Sequence, residues 1–374
     1  MKAWIFQDPK QKKRHGSKAR WLVGWYWEGK KKSKSFRLKG DAEKYRRRIE
    51  GELAAGIYRS PSKMTWQEFR PEYECKAASQ LKSRSFKEVR SSLNHFERII
   101  KPVLLRSITT KTIDKYIAQR LVEPGRKPGS TVAPYTIRKE ISAIRAALNV
   151  ARDWGYIDKV PKFQKIKVSE IIPRPVTRED FSAIYGATDV AQMPRGLNCD
   201  PADWWRSILV FAMTTGWRKE EILRFRREDL DLETGRVLTR AADNKNARDH
   251  VDFLPETTVE HIRRVVSFDP LVFVWNHHPR TFDSQFHKIQ RAAGIDLPCI
   301  IPREHQCTAA CRLYGLHDLR RAYATENCDR MSLPVLQKKM RHRSISTTMR
   351  YVSVAHQMKR TAADVFVPEI RSYG

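Results

Sequence analysis

No apolar stretch in this chain approaches the roughly 18 residues that a membrane-crossing helix needs, so no bilayer span is expected. The opening residues, MKAWIFQDPKQKKRHG, contain no apolar core followed by a cleavage site, which argues against secretion. Six cysteines scattered over 374 residues do not make a disulfide framework, so a reducing cytoplasm is the expected compartment. Acidic residues are scarce beside basic ones: 42 Asp and Glu against 72 Lys and Arg, a net charge of +30 and a pI near 10.1. A charge of that size repels itself unless a polyanion is the partner. Nucleic acid is the first candidate and an anionic membrane surface the second. What is present in quantity is apolar residues, at 41%, enough to build real cores, and the length suits two or three domains.

The first block, residues 1–62, carries 18 Lys and Arg against 6 Asp and Glu, a surplus of 12. WLVGWYW (Trp21 to Trp27) reads as one strand and KSFRL (Lys34 to Leu38) as another, with Gly29, Lys30, Lys31 and Lys32 as the turn between them. A helix is expected from about Asp41, as N-cap, to Ala55, ended by Gly56. Lysines beside tryptophan and tyrosine on a small sheet suit a DNA groove, and Lys30, Lys31 and Lys32 are the candidate contacts. RSPSK (Arg59 to Lys63) reads as a linker.

Residues 63–170 read as helices, at about 66–78, 85–100, 111–121 and 134–154, with a Pro- and Gly-bearing loop at 122–131. In the last helix Ile137, Ile141, Ile144, Leu148 and Ala151 step by four and three and form an apolar seam. Arg138, Ser142, Arg145, Asn149 and Arg152 repeat those steps one residue, or about 100°, further round. That stripe is either an ordinary solvated face or a surface for phosphates and base edges, which makes Arg138, Arg145 and Arg152 candidate DNA contacts.

The third block, 171–374, opens on IPRPVTRED, where Thr177 is expected to cap a helix in a Thr-x-x-Asp box. An apolar helix from Trp204 to Thr214 ends at Gly216, and short strands are expected near 229–232, 236–241 and 248–254. Arg218 follows the helix-ending glycine, and Glu221 is three residues on, where it can orient its neighbours. Lys245 falls between two expected strands, where a lysine can swing over a phosphate and act as general acid. His317 and Arg320 share one helical face; the guanidinium fork suits phosphate oxygens, and the imidazole suits proton transfer. His342 precedes Tyr351, with Thr347-Thr348 expected to cap the helix bearing that tyrosine. Two guanidiniums, two imidazoles, a lysine and a phenol are the inventory for attack on a phosphodiester.

The order Arg218, Lys245, His317-x-x-Arg320, His342, Tyr351 resembles the tyrosine recombinase (phage integrase) family. TTGWRKEEI is similar to its first arginine box, HDLRRAYAT to its second and RHRSISTTMRYV to its tyrosine box. The resemblance is strong over about 175–367; residues 64–168 look like the family's helical, SAM-like core-binding domain, and 1–62 more loosely like its arm-binding module. It implies a multidomain, mainly α protein with small antiparallel sheets: an α+β N-terminal module, a helical domain and a mixed α/β catalytic domain with a C-terminal tail at 352–367. It implies that Tyr351 attacks the phosphorus to give a 3′-phosphotyrosine, that Arg218 and Arg320 clamp the phosphate and that Lys245 protonates the leaving 5′-oxygen. His317 then assists the tyrosine proton, His342 donates to the phosphate, and Glu221 supports them. No cofactor is required, the partner is double-stranded DNA bound by a homotetramer, and the setting is a mobile element in a prokaryotic cytoplasm, on the nucleoid. The complete residue set weighs against a catalytically silent DNA-binding regulator, and the separate basic module against a tyrosine topoisomerase.

Two departures from the family stand out. Met340-Arg341 replaces the usual Leu-Gly, with either an altered turn or an added phosphate contact as the expected result. Cys299, His305, Cys307 and Cys311 offer four ligands for a structural zinc, although their spacing is not that of a standard finger and plain cysteines are the alternative.

Overall fold

The computed structural model describes residues 2–56, 58, 62–168, 174–241, 249–299, 307 and 311–359, with side chains only to residue 352 in the last stretch. The chain divides into one unit of residues 1–126 and 131–168 and another of residues 127–130 and 169–374.

The N-terminal module orders as β1 (Trp4–Phe6), α1 (Pro9–His15), β2 (Trp21–Trp27), β3 (Lys30–Phe36) and α2 (Lys39–Ala54). The sheet is antiparallel in the order β1-β2-β3. The expected turn at Lys30–Lys32 is instead strand, paired opposite Trp27, Tyr26 and Trp25. The chain reverses one step earlier because Glu28 and Gly29 take φ of 50° and 71°, the left-handed pair that a two-residue hairpin requires. Gly24 lets Trp4 lie flat on the sheet, since a Cβ there would sit 2.7 Å from its ring. Asp41 is not the cap of α2. Leu38 holds that position without a side-chain bond, and Asp41 lies in the first turn, where it complements the helix dipole. Val23, Trp25, Ala42, Ile49 and Leu53 form the core between sheet and helix.

The helical bundle comprises α3 (Trp66–Gln80), α4 (Ser83–Ile100), α5 (Thr110–Leu121) and α6 (Pro134–Asp153). Thr65 with Glu68 and Thr109 with Thr112 close reciprocal caps on α3 and α5, and Pro134 starts α6. The whole apolar seam of α6 is buried; Ile144, Leu148 and Ala151 pack with Trp66, Phe69, Phe96 and Tyr116. The Arg120–Glu140 pair beneath is buried, with Tyr116 Oη donating to Glu140 at 2.7 Å.

The second unit contains α7 (Arg178–Gly186), α8 (Pro201–Thr215), α9 (Lys219–Ile222), β4 (Arg236–Thr239), β5 (His250–Phe253), α10 (Glu256–Arg263), α11 (Pro279–Ala292), α12 (Leu316–Asn327), α13 (Leu333–Lys339) and α14 (Ile345–Lys359). Helix α8 is apolar on nearly every side because it runs through the core, with Trp204, Trp205, Ile208 and Phe211 buried among Phe273, Phe282 and Phe286. Thr177 caps α7, but Asp180 does not return the bond; its carboxylate accepts from Tyr314 Oη at 2.7 Å. The strand expected at 229–232 is a 3₁₀ turn followed by a single bridge, Leu230 to Val237, because the Asp231 carboxylate accepts the Glu233 N–H at 2.9 Å and closes the chain into a loop. Strands β4 and β5 pair antiparallel, and Lys245 falls between them, outside the described residues.

Candidate active site

Helix α8 ends at Gly216 in the left-handed conformation, φ 62°. A Cβ there would meet the Tyr323 ring at 2.5 Å, so glycine is required both by the turn and by the close approach of α12. Two residues later Arg218 stands at the head of α9 in extended conformation. Glu221 accepts the Arg218 backbone N–H at 3.1 Å and its Nη1 at 2.7 Å. The helix head thereby fixes both ends of the arginine.

One turn of α12 separates His317 from Arg320. Arg320 is only 1% exposed. Its Nη1 donates to the Gly216 carbonyl at 2.5 Å and its Nη2 to the Met340 carbonyl. Burial, then the fields of Arg218 and Arg341, push its pKa down to about 9. His317 keeps an open edge, yet the surrounding protein, with Arg320, Arg321 and Arg218, pushes its pKa down to about 4. His342 is buried, and burial plus Arg320 and Arg218 push it down to about 3. Both imidazoles are therefore neutral at physiological pH, the form that can take a proton.

Thr347 and Thr348 do not cap α14, which begins at Ile345. Thr348 faces inward instead, fully buried, and its Oγ1 bonds His342 Nδ1 at 2.9 Å. That bond orients the imidazole, which stacks on the Tyr351 ring at 5.6 Å between centroids and 9° between planes. Five of the six expected catalytic side chains, Arg218, His317, Arg320, His342 and Tyr351, thus belong to one cluster on α9, α12, α14 and the turn before α14. Three guanidiniums, those of Arg218, Arg320 and Arg341, converge there on one carboxylate, Glu221. The surplus positive charge is of the kind that suits an anion.

The model of the phage integrase family matches residues 178–358, and the model of the phage integrase SAM-like domain matches residues 68–167. The chain belongs to the tyrosine recombinase (phage integrase) family. Its enzyme class is that of the tyrosine-type site-specific recombinases. A tyrosine recombinase XerA of Saccharolobus solfataricus is 24% identical over 259 residues, which cover 66% of this chain and 74% of that protein. A lambda integrase dimer bound to a COC' core site shares the fold at a TM-score of 0.60 and 16% identity, over 98% of this chain and 97% of that one. A lambda integrase tetramer bound to a Holliday junction does so at 0.58 and 15% identity, over 93% and 94%.

The other candidate residues of this recombinase lie elsewhere. Lys30 and Lys31 are exposed on β3 and Lys32 half-buried; Lys31 sits over the Trp4 and Phe6 rings at 5.7 and 5.4 Å. Arg138, Arg145 and Arg152 all face solvent from α6, Arg145 against Phe163 and Arg152 paired with Asp153. No helix among the described residues is long and apolar enough to cross a membrane. Sequence reasoning missed Trp217, whose ring lies under the Arg341 guanidinium at 4.7 Å, and Thr348 as parts of the site, because an apolar residue and a helix-starting threonine carry no distinctive signal.

Of the candidate zinc ligands, His305 lies outside the described residues. A bond to Cys299, with Cys311 nearby, pushes the Cys307 thiol up. Among the described residues no three His, Cys, Asp or Glu side chains are arranged to hold a metal, so they do not by themselves fit a zinc site. Zinc on Cys299, His305, Cys307 and Cys311 is thus a proposal from the sequence. Its expected result is stoichiometric zinc in purified protein, lost in Cys307→Ser together with thermal stability. A zinc-free protein ends it.

Proposed function

We propose that this recombinase cleaves and rejoins double-stranded DNA at specific sites through a 3′-phosphotyrosine intermediate, as the integrase of a mobile element acting in the prokaryotic cytoplasm. The observation that carries the reading is the stacking of Tyr351 on a neutral His342 beside two guanidiniums that are held by backbone carbonyls. In the proposed step Tyr351 Oη bonds to the scissile phosphorus and the bond to the 5′-oxygen breaks. The tyrosine proton passes to His317, whose depressed pKa keeps it a free base. Lys245 gives a proton to the departing 5′-oxygen. Arg218 and Arg320 hold the non-bridging oxygens, where charge builds in the transition state, and His342 donates to the same phosphate. The ester keeps the energy of the broken bond, so rejoining is the same step reversed, and the residues present call for no metal or nucleotide.

The same reading gives residues 1–62 to an arm-type site, 63–170 to the crossover core and 171–374 to catalysis, with four copies exchanging strands in pairs. The lambda integrase tetramer on a Holliday junction has the same fold. Deleting residues 1–62 should remove one class of footprint and leave core protection; unchanged footprints would refute a separate arm site. The function itself is tested by incubating the protein with a nicked suicide substrate that lets the short fragment bearing the free 5′-hydroxyl diffuse away. A protein–DNA adduct stable to denaturation is expected. Binding with no adduct on either strand would leave a silent regulator.

A further inference from the structure

Position 341 is where the tyrosine box departs from the expected glycine, and the backbone shows why glycine suits it. Arg341 has φ 49°, the left-handed region, which is strained for an L-residue with a side chain. The side chain does not reach outward to a phosphate. It is 5% exposed, its guanidinium lies over the Trp217 ring at 4.7 Å, and its Nη2 donates to Glu221 Oε2 at 2.7 Å. Its own carbonyl accepts from Arg218 Nη2 at 3.2 Å, and the preceding carbonyl, of Met340, accepts from Arg320. The turn before His342 therefore holds both phosphate-binding arginines through its backbone, and its side chain ties it to the carboxylate that holds Arg218 from the other side.

We propose that Arg341 is a positioning residue: its guanidinium fixes the Glu221 carboxylate and so sets Arg218 in the geometry that receives the scissile phosphate. The inference rests on the reading of Arg218 as a phosphate clamp. A buried Glu221 with Arg218 as sole partner would be half-compensated, and burial favours its protonated form. Burial does push the Glu221 carboxyl up, but the charges of Arg341 and then Arg218 outweigh it and hold the group below the usual carboxylate range. Arg320 and His317, on α12, also interact with Glu221, and Asp252, on β5, with Arg341. Without Arg341 the largest attraction is gone while burial remains, so Glu221 takes up a proton at higher pH than in the parent. Once neutral, it releases Arg218. The defect therefore grows as pH falls and shrinks as pH rises.

The test is single-turnover cleavage of the suicide substrate from pH 5 upward to pH 8 by the parent, Arg341→Gly, Arg341→Lys and the double variant Arg341→Gly with Glu221→Gln. Glycine relieves the left-handed strain, so the fold is retained and only the side chain is lost. Arg341→Gly should cleave about tenfold more slowly than the parent at the acid end, with the ratio closing as pH rises, at nearly unchanged DNA affinity. Arg341→Lys, which keeps the charge, should flatten the ratio against pH. The double variant should show a defect that no longer depends on pH. Should Arg341→Gly fail to fold, the comparison of parent with Arg341→Lys decides: a Lys variant whose ratio to the parent changes with pH as a charge loss would overturns the proposal. Parent-like cleavage by Arg341→Gly at every pH also overturns it, and leaves the recombinase reading intact. Absence of any adduct with the parent would instead remove that reading.

Discussion

Tyr351→Phe should abolish the covalent adduct while leaving folding and DNA affinity unchanged within about 0.5 kcal/mol, the usual range for changes that disturb no packing. The substitution removes one oxygen and keeps the ring that lies parallel to His342. Its only chemical consequence is the loss of the atom that would bond to phosphorus. The neighbouring phenol cannot replace it: Tyr323 is 5% exposed, and burial pushes its hydroxyl up to about 12. Denaturing gels of the suicide reaction measure the outcome, with a filter or gel-shift titration alongside. An adduct that persists at parental level would remove Tyr351 from the nucleophile's role whatever the family resemblance implies.

Lys245→Ala should slow cleavage by roughly 10²–10⁴-fold, the span of a general acid's contribution. An alkoxide departing from phosphorus needs a proton in the transition state, and Lys245, which falls between β4 and β5 in the sequence, is the group the sequence offers for it. A thiolate leaves without that help. Replacing the bridging 5′-oxygen by sulfur should therefore restore most of the lost rate in Lys245→Ala and leave the parent little changed. Equal defects on both substrates would mean that Lys245 binds the phosphate rather than protonating the leaving group.

The parts legible from the sequence were those set by periodicity and by short ordered motifs. The α6 seam was readable because a helix buried on one face must repeat its apolar residues every three or four positions. The cluster of Arg218, His317, Arg320, His342 and Tyr351 was readable through the resemblance of three short motifs to those of a known family, since no physical rule fixes the chain order of residues that meet in space. Turn chemistry was not. The Glu28–Gly29 hairpin was placed a step late because glutamate does not announce a left-handed φ. The 229–232 segment resembled a strand by its Leu-Asp alternation, but the Asp231 side chain competes for the backbone N–H groups that a ladder would need. Thr348 resembled a cap because threonine is a good one, and only the packing shows that its hydroxyl serves His342. Arg341 was visible as an exception in the pattern. Its partner Glu221 lies far away along the chain, and no local rule connects them.

Among the described residues, Arg320 has backbone carbonyls as its bonded acceptors and no carboxylate. A buried cation bonded only to dipoles, with the nearby carboxylate of Glu221 shared among three guanidiniums, is a poor choice for a protein built to last, since desolvation outweighs what these partners return. It becomes a good choice when the missing counter-charge is the substrate. The free protein is then under an electrostatic load that the phosphate relieves, and part of the binding energy goes into completing the enzyme's own core. Durability alone would favour an apolar residue in so confined a place, so a guanidinium there makes sense only for what it can bind.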